Sequence, residues 1–134
     1  MAQLNDIIQW CNQTLKSHEF KDYAPNGLQI EGKSEVNKIV CAVTASQEAI
    51  EATIAQGADL LLVHHGYFWK GEPYPITGMR GKRIKALIQH DISLVGYHLP
   101  LDSHPVLGNN ATIADILELD NIEALDPAER NPIG

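Results

Sequence analysis

Two adjacent histidines, His64 and His65, follow the apolar run DLLLV, and Gly66 comes directly after them. A third histidine, His98, ends the run ISLVGYH, and Asp102 follows in the segment LPLD. Imidazole and carboxylate together make a mixed nitrogen and oxygen donor set, which suits Zn, Mn, Fe, Co or Ni rather than the all-oxygen cage of calcium. Successive side chains on a strand point to opposite faces. Both histidines therefore share one cavity only if the chain turns at Gly66, just past the strand end. Each then holds a different metal, and Asp102 holds one ion or bridges two. A structural reading competes: a histidine pair is often a surface feature, and an Asp after a strand often caps the next turn. His98 reads either as a partner or proton carrier behind the ligands, or as a core histidine with a satisfied hydrogen bond. His104, ahead of Pro105, is open between the same two roles.

Other side chains near these residues have chemistry to offer. Tyr67, Phe68 and Trp69 could stack on a heterocyclic base, although core or subunit interface is the expected role. Five of the ten Lys and Arg residues are Lys70, Arg80, Lys82, Arg83 and Lys85, with only Glu72 opposing them locally. A positive patch beside a metal site could anchor a phosphate or another anion. Lys70 and Arg80 are the expected substrate contacts, whereas Lys82 and Lys85 read as a solvated helix face. Asn26 and Gly27 read as a turn, from which Asn26 could reach the site.

These residues need elements to position them. Leu4, Ile7, Ile8, Cys11 and Leu15 have the spacing of an amphipathic helix. HEFKDYAPNG reads as loop and turn, LQIE as a short strand, and KIVCAV as a buried strand. Thr44 and Gln47 have capping-box spacing, so a helix is expected from there, with Ala49, Ile50, Thr53 and Ile54 inward and Gly57 ending it. DLLLV is a second buried strand. A Gly- and Pro-rich loop leads to a helix marked by Ile84, Leu87 and Ile88. ISLVGYH is the third strand, and a last helix from about residue 110 turns Ile113, Ile116 and Leu117 inward. The alternation of strand and helix predicts a layered α/β fold with a mainly parallel sheet flanked by helices. In such sheets ligands bind beyond the carboxyl ends of the strands, which is where His64, His65, His98 and Asp102 fall.

The 134 residues suffice for a single domain, and 44% apolar with 20% charged is a globular composition. A net charge of −7 and a pI near 5.2 offer no overall attraction to nucleic acid or anionic membrane. Cys11 and Cys41 have neither zinc-knuckle nor redox spacing and read as buried thiols suited to a reducing cytoplasm. The first residues, MAQLNDIIQW, lack the basic region of a signal peptide, and no apolar run approaches membrane-spanning length. P-loop and dinucleotide fingerprints are absent.

The strings DYAPNGLQIEG, VTASQ, VHHGYFWKG and YHLPLDSHPVLGNN resemble the YbgI-like branch of a dinuclear-metal family. Its members are known as GTP cyclohydrolase 1 type 2 homologs or Ngg-interacting-factor-three-like proteins. The resemblance runs from about residue 22 to residue 110. It implies an α/β fold, a toroidal homohexamer, and a pair of divalent metals near the ring interior. His64 and His65 match family histidines that bind different metals, and Asp102 matches the aspartate ligand. The family completes the site with a His and a bridging Glu from a C-terminal segment. Glu118, Glu123 and Glu129 lack that context, so residues 1–134 read as the N-terminal portion of a longer member. The implied function is a divalent-metal-dependent hydrolase, cyclohydrolase-like or directed at a nucleotide or heterocycle. The alternative is a metal-stabilised assembly or adaptor module without catalysis.

Overall fold

The computed structural model describes residues 1–126, 128, 131 and 132; Glu129 lies outside them. A two-residue strand β1 (Ala2–Gln3) leads into α1 (Leu4–Leu15). After a 3-10 turn at Ser17–Glu19 come β2 (Gly27–Ile30), β3 (Glu35–Val36) and β4 (Ile39–Thr44). Next are α2 (Gln47–Ala55), β5 (Leu60–His65), α3 (Gly78–Gln89) and β6 (Ser93–Gly96). The short α4 (Leu99–Asp102) and α5 (Asn109–Ile116) follow. The main sheet has the order β2-β6-β5-β4. β4, β5 and β6 are parallel, and β2 joins β6 antiparallel, so the sheet is mixed with a parallel core, as the alternation predicted.

Two apolar layers enclose this sheet. On one face Leu61, Val63 and Leu94 pack with Ile50 of α2 and with Ile84 and Leu87 of α3. On the other, Leu60, Val95 and Tyr97 pack under Leu4, Cys11 and Leu15 of α1. Every residue of β6 is buried. Strands covered on both faces are built from unbroken apolar runs, and this places the carboxyl ends of β5 and β6 side by side.

Several expectations need correction at the edges. KIVCAV is not a buried strand: β4 is the sheet edge, with Ile39 43% and Val43 69% exposed. Val40 and Ala42 pack on the α2 side, but α1 sits over β5 and β6 and leaves the other face of β4 open. Cys41, on that face, is exposed rather than buried. The cap of α2 is Ser46, whose hydroxyl accepts from the Ala49 N–H at 3.2 Å. Thr44 is unavailable as a cap because it is still paired in the ladder with His65. Gly57 does end the helix, at φ +61°, a conformation that favours glycine. In α5 Ala114 is buried, while Ile113, Ile116 and, just past its end, Leu117 are exposed. Ile88 of α3 is exposed as well. Periodicity identifies an apolar stripe, but only a neighbouring element can bury it. Among the described residues, no helix is long and apolar enough to cross a membrane.

Candidate metal centre

β5 carries both His64 and His65 to its end, so the pair does not lie past the strand. Their rings nevertheless meet, with centroids 4.4 Å apart. The ladder with β6 closes at Val63, whose carbonyl accepts from the Tyr97 N–H at 3.0 Å. His98 joins the two rings, 5.0 Å from His64 and 5.7 Å from His65. One ligand nitrogen from each of the three rings lies within 4.8 Å of the others, a spacing that could hold a metal ion. His98 is thus close enough to serve as a third donor as well as a proton carrier.

Each ring is oriented by a partner from another element. His64 Nδ1 lies 3.0 Å from the Tyr97 carbonyl oxygen. A carbonyl only accepts, so Nδ1 carries the hydrogen, and in the neutral ring Nε2 is the nitrogen with the lone pair. That Nε2 is 3.4 Å from Asp102 Oδ1. His65 Nδ1 lies 3.2 Å from Thr44 Oγ1, its ladder partner's hydroxyl. Burial lowers the pKa of His65, and the neighbouring His64 and His98 lower it further against the opposing pull of Asp102. The ring is thus biased towards the neutral form that binds metals.

His98 is held by a residue that periodicity could not flag. Its Nδ1 is 2.8 Å from Asp22 Oδ1, and the Asp22 side chain is only 2% exposed. Asp22 also accepts from the Asn26 side chain and from the N–H groups of Tyr23 and Leu99. Burial on its own would raise the Asp22 pKa, but the bonds from His98, Asn26, Leu99 and Tyr23 outweigh it and leave the carboxyl below its ordinary value. Asn26 does reach the site, its Oδ1 accepting from the His98 N–H at 2.7 Å.

Asp102 ends α4, and its Oδ1 accepts from Asn109 Nδ2 at 2.8 Å. Gly108 makes that approach possible. A Cβ there would stand 2.3 Å from the His104 carbonyl oxygen and 2.7 Å from that of Leu101. At Gly66 a Cβ would come 2.1 Å from Gln29 Oε1, so the flexible end of that side chain, which accepts from the Tyr67 N–H, would have to move aside. Gln29, like Asp22, had no signal in periodicity, because each acts through partners distant in sequence.

The aromatic run divides its roles. Tyr67 is buried and donates its hydroxyl to the Ala45 carbonyl. Trp69 stands edge-on to His98 at 4.8 Å, held by its indole N–H on the Gly66 carbonyl at 3.1 Å. Arg80 is bonded to Glu72 at 2.7 Å and to the carbonyls of Pro73 and Pro75. Lys70 is exposed, next to Trp69, and its N–H binds the Tyr23 carbonyl. His104 accepts from the N–H groups of Val106 and Leu107, the hydrogen bonds of a turn. An apolar cleft of about 500 Å³ opens beside His64 and is lined by Trp10, Cys41, Val43 and Leu107.

A family profile described as Duf34/NIF3 (NGG1p interacting factor 3) matches residues 2–133. A Haemophilus influenzae protein named GTP cyclohydrolase 1 type 2 homolog is 58% identical over 121 residues, covering 90% of this chain and 48% of its own length. An Escherichia coli K12 protein of the same name is 51% identical over 122 residues, with 91% of this chain and 49% of the relative covered. The chain thus spans about half the length of these curated relatives. Among solved structures, one described as protein ybgI of unknown function superposes with TM-score 0.91 at 49% identity, covering 94% of this chain and 51% of that one. TTHA1606 from Thermus thermophilus superposes with TM-score 0.87 at 36% identity, covering 93% and 52%.

Proposed function

The chain belongs to the Duf34/NIF3 family, and from that premise we propose that it carries the ligands of a metal-dependent hydrolase centre. The observation that carries this reading is the convergence of three imidazoles with Asp102 beside one of them. In the proposal His64, His65 and Asp102 hold two divalent ions drawn from Zn, Mn, Fe, Co or Ni. The His and Glu that the family resemblance adds would come from polypeptide outside these 134 residues. Bound there, the metal would supply Lewis acidity and a nucleophile at neutral pH.

This chain's own residues supply the rest. His98, with Nδ1 on Asp22, offers Nε2 as a further donor to an ion, or to take up and return a proton during hydrolysis. Trp69 walls the cluster on the His98 side and presents a surface for a heterocycle. Arg80 is already committed to Glu72 and two carbonyls, so we assign it to shaping the loop and Lys70 to contacting an anionic group. The substrate class is a small, nucleotide-like or heterocyclic molecule, and the cytoplasm is the proposed location.

A second reading is favoured by a separate observation. Trp10, Val43 and Leu107 are each more than half exposed around the cleft beside His64, and contiguous apolar surface marks interaction sites. In that reading the metals stabilise an assembly, a ring-shaped homohexamer, without catalysis.

Metal content by plasma mass spectrometry, beside a His64→Ala, His65→Ala double variant with mass by light scattering, tests both. Stoichiometric metal lost in a variant of unchanged mass supports the hydrolase reading and leads to a screen with nucleotides and pterin-like heterocycles. Loss of metal together with loss of assembly supports the second. A folded wild-type protein that carries the C-terminal His and Glu and still takes up no metal overturns both.

A further inference from the structure

We propose that Asp22 is a positioning residue for this centre, holding the His98 ring with Nε2 towards the other imidazoles while anchoring the start of the helix that carries Asp102. The proposal rests on the metal-centre reading above. Asp22 lies in a segment whose composition suggests only a connection, yet it meets His98 across 76 positions of sequence. Both of its oxygens are engaged. Oδ1 takes the Tyr23 N–H at 2.6 Å and the His98 Nδ1 at 2.8 Å; Oδ2 takes Asn26 Nδ2 and the Leu99 N–H, each at 2.9 Å. Asn26 closes the loop by accepting the His98 N–H. The one carboxylate thus fixes the His98 ring, the His98 backbone through Asn26, and the first residue of α4.

The chemistry of the partner matters more than its bulk. A buried carboxylate is costly unless hydrogen bonds satisfy it, so mere loop closure would not need one. A carboxylate only accepts, so the His98 nitrogen facing it must carry the hydrogen. Nε2 is left with its lone pair turned to the cluster, as for histidines backed by a carboxylate at metal sites. An amide in the same place breaks that logic. With only one acceptor oxygen it cannot satisfy all four donors, and its NH₂ group turned towards His98 would favour the tautomer with hydrogen on Nε2. That tautomer has no lone pair for the cluster. The same substitution would loosen Leu99 and, one helical turn on, Asp102.

The test uses Co²⁺ as probe, followed by its visible absorption, on the wild-type chain and on Asp22→Asn and Asp22→Glu. We expect Asp22→Asn to stay folded by circular dichroism, to bind Co²⁺ about 10–100-fold more weakly, and to show a changed d–d spectrum. Asp22→Glu, which keeps two acceptor oxygens, should recover part of both. A folded Asp22→Asn with wild-type affinity and spectrum overturns the role of Asp22 and leaves the metal reading standing. A folded wild-type protein that carries the C-terminal His and Glu and binds no Co²⁺ overturns the metal reading itself. Nitrogen-15 NMR of the histidine rings in the metal-free wild-type chain needs no variant to fold. Hydrogen on Nδ1 of His98 is expected, and hydrogen on Nε2 alone would overturn the proposal.

Discussion

The His64 ring donates from Nδ1 to the Tyr97 carbonyl oxygen over 3.0 Å, tying the end of β5 to the residue that follows β6. One bond thus sets the tautomer of a candidate ligand and locks two strand ends together. Replacing His64 by Ala should remove metal binding while costing about 1 kcal/mol of stability, the net worth of an ordinary hydrogen bond. Metal content and urea unfolding on the same sample check this. Loss of several times that stability would show that the ring is chiefly structural.

Gly108→Ala should be far more damaging than its single methyl suggests. The new Cβ would meet the carbonyl oxygens of His104, Leu101 and Asp102 at 2.3, 2.7 and 2.9 Å. These are backbone atoms, so the turn between α4 and α5 must shift, and overpacking of this kind costs about 1–3 kcal/mol. The Asn109–Asp102 bond should be lost with it. Asn109→Ala, which removes that bond without the clash, should cost less in unfolding measurements. Equal losses in the two variants would sink the steric account.

Asp59 predicts an acid limb. Its carboxylate accepts from the Asn37 N–H at 2.9 Å, the Lys38 N–H at 3.3 Å and Lys33 Nζ at 3.2 Å. The bond from Asn37 lowers its pKa most, burial opposes, and Lys33 and Lys38 complete a net depression. A carboxyl with a depressed folded pKa contributes stability that is fully present above its unfolded value, about 3.9. That stability is lost as pH falls through the lower folded value. Thermal melts from neutral pH downwards should show this loss, and Asp59→Asn should flatten the curve below about pH 4. An unchanged acid limb in the variant would remove Asp59 from the explanation.

The two cysteines should separate chemically. Cys41 is exposed and Cys11 is buried. Burial pushes the Cys11 thiol up, against a smaller downward pull from the Tyr97 hydroxyl, so it supplies little thiolate. Intact mass after brief alkylation should show one adduct under native conditions and two in denaturant. Two native adducts would mean that α1 does not seal its face of the sheet.

Core and edge of the sheet should also differ. Leu61 is 0% exposed in a central strand, and Leu61→Ala should cost about 2–5 kcal/mol. Val43→Ser, on the open face of the edge strand, should stay within about 0.5 kcal/mol. Chemical denaturation measures both. A large loss for Val43→Ser, with a fall in mass by light scattering, would favour the assembly reading.

Much of this molecule is determined by short-range pattern. The spacing of Leu4, Cys11 and Leu15 specifies α1 and its buried side. The apolar runs of β5 and β6 specify strands covered on both faces, and the alternation specifies their parallel pairing. The motifs around His64 and Asp102 were legible because adjacent residues at a strand end need no knowledge of distant partners. Tertiary structure alone decided the remainder. Whether KIVCAV is core or edge depends on where α1 lies, and whether Ile116 is buried depends on a neighbour. That His98 comes within reach of His64 and His65, that Asp22 holds it, and that Gln29 fills the space beside Gly66 are contacts between segments far apart in the chain. Periodicity reports the local conformation of a few turns or strands. Hydrogen bonds closed across many residues exist only once the chain has folded around them.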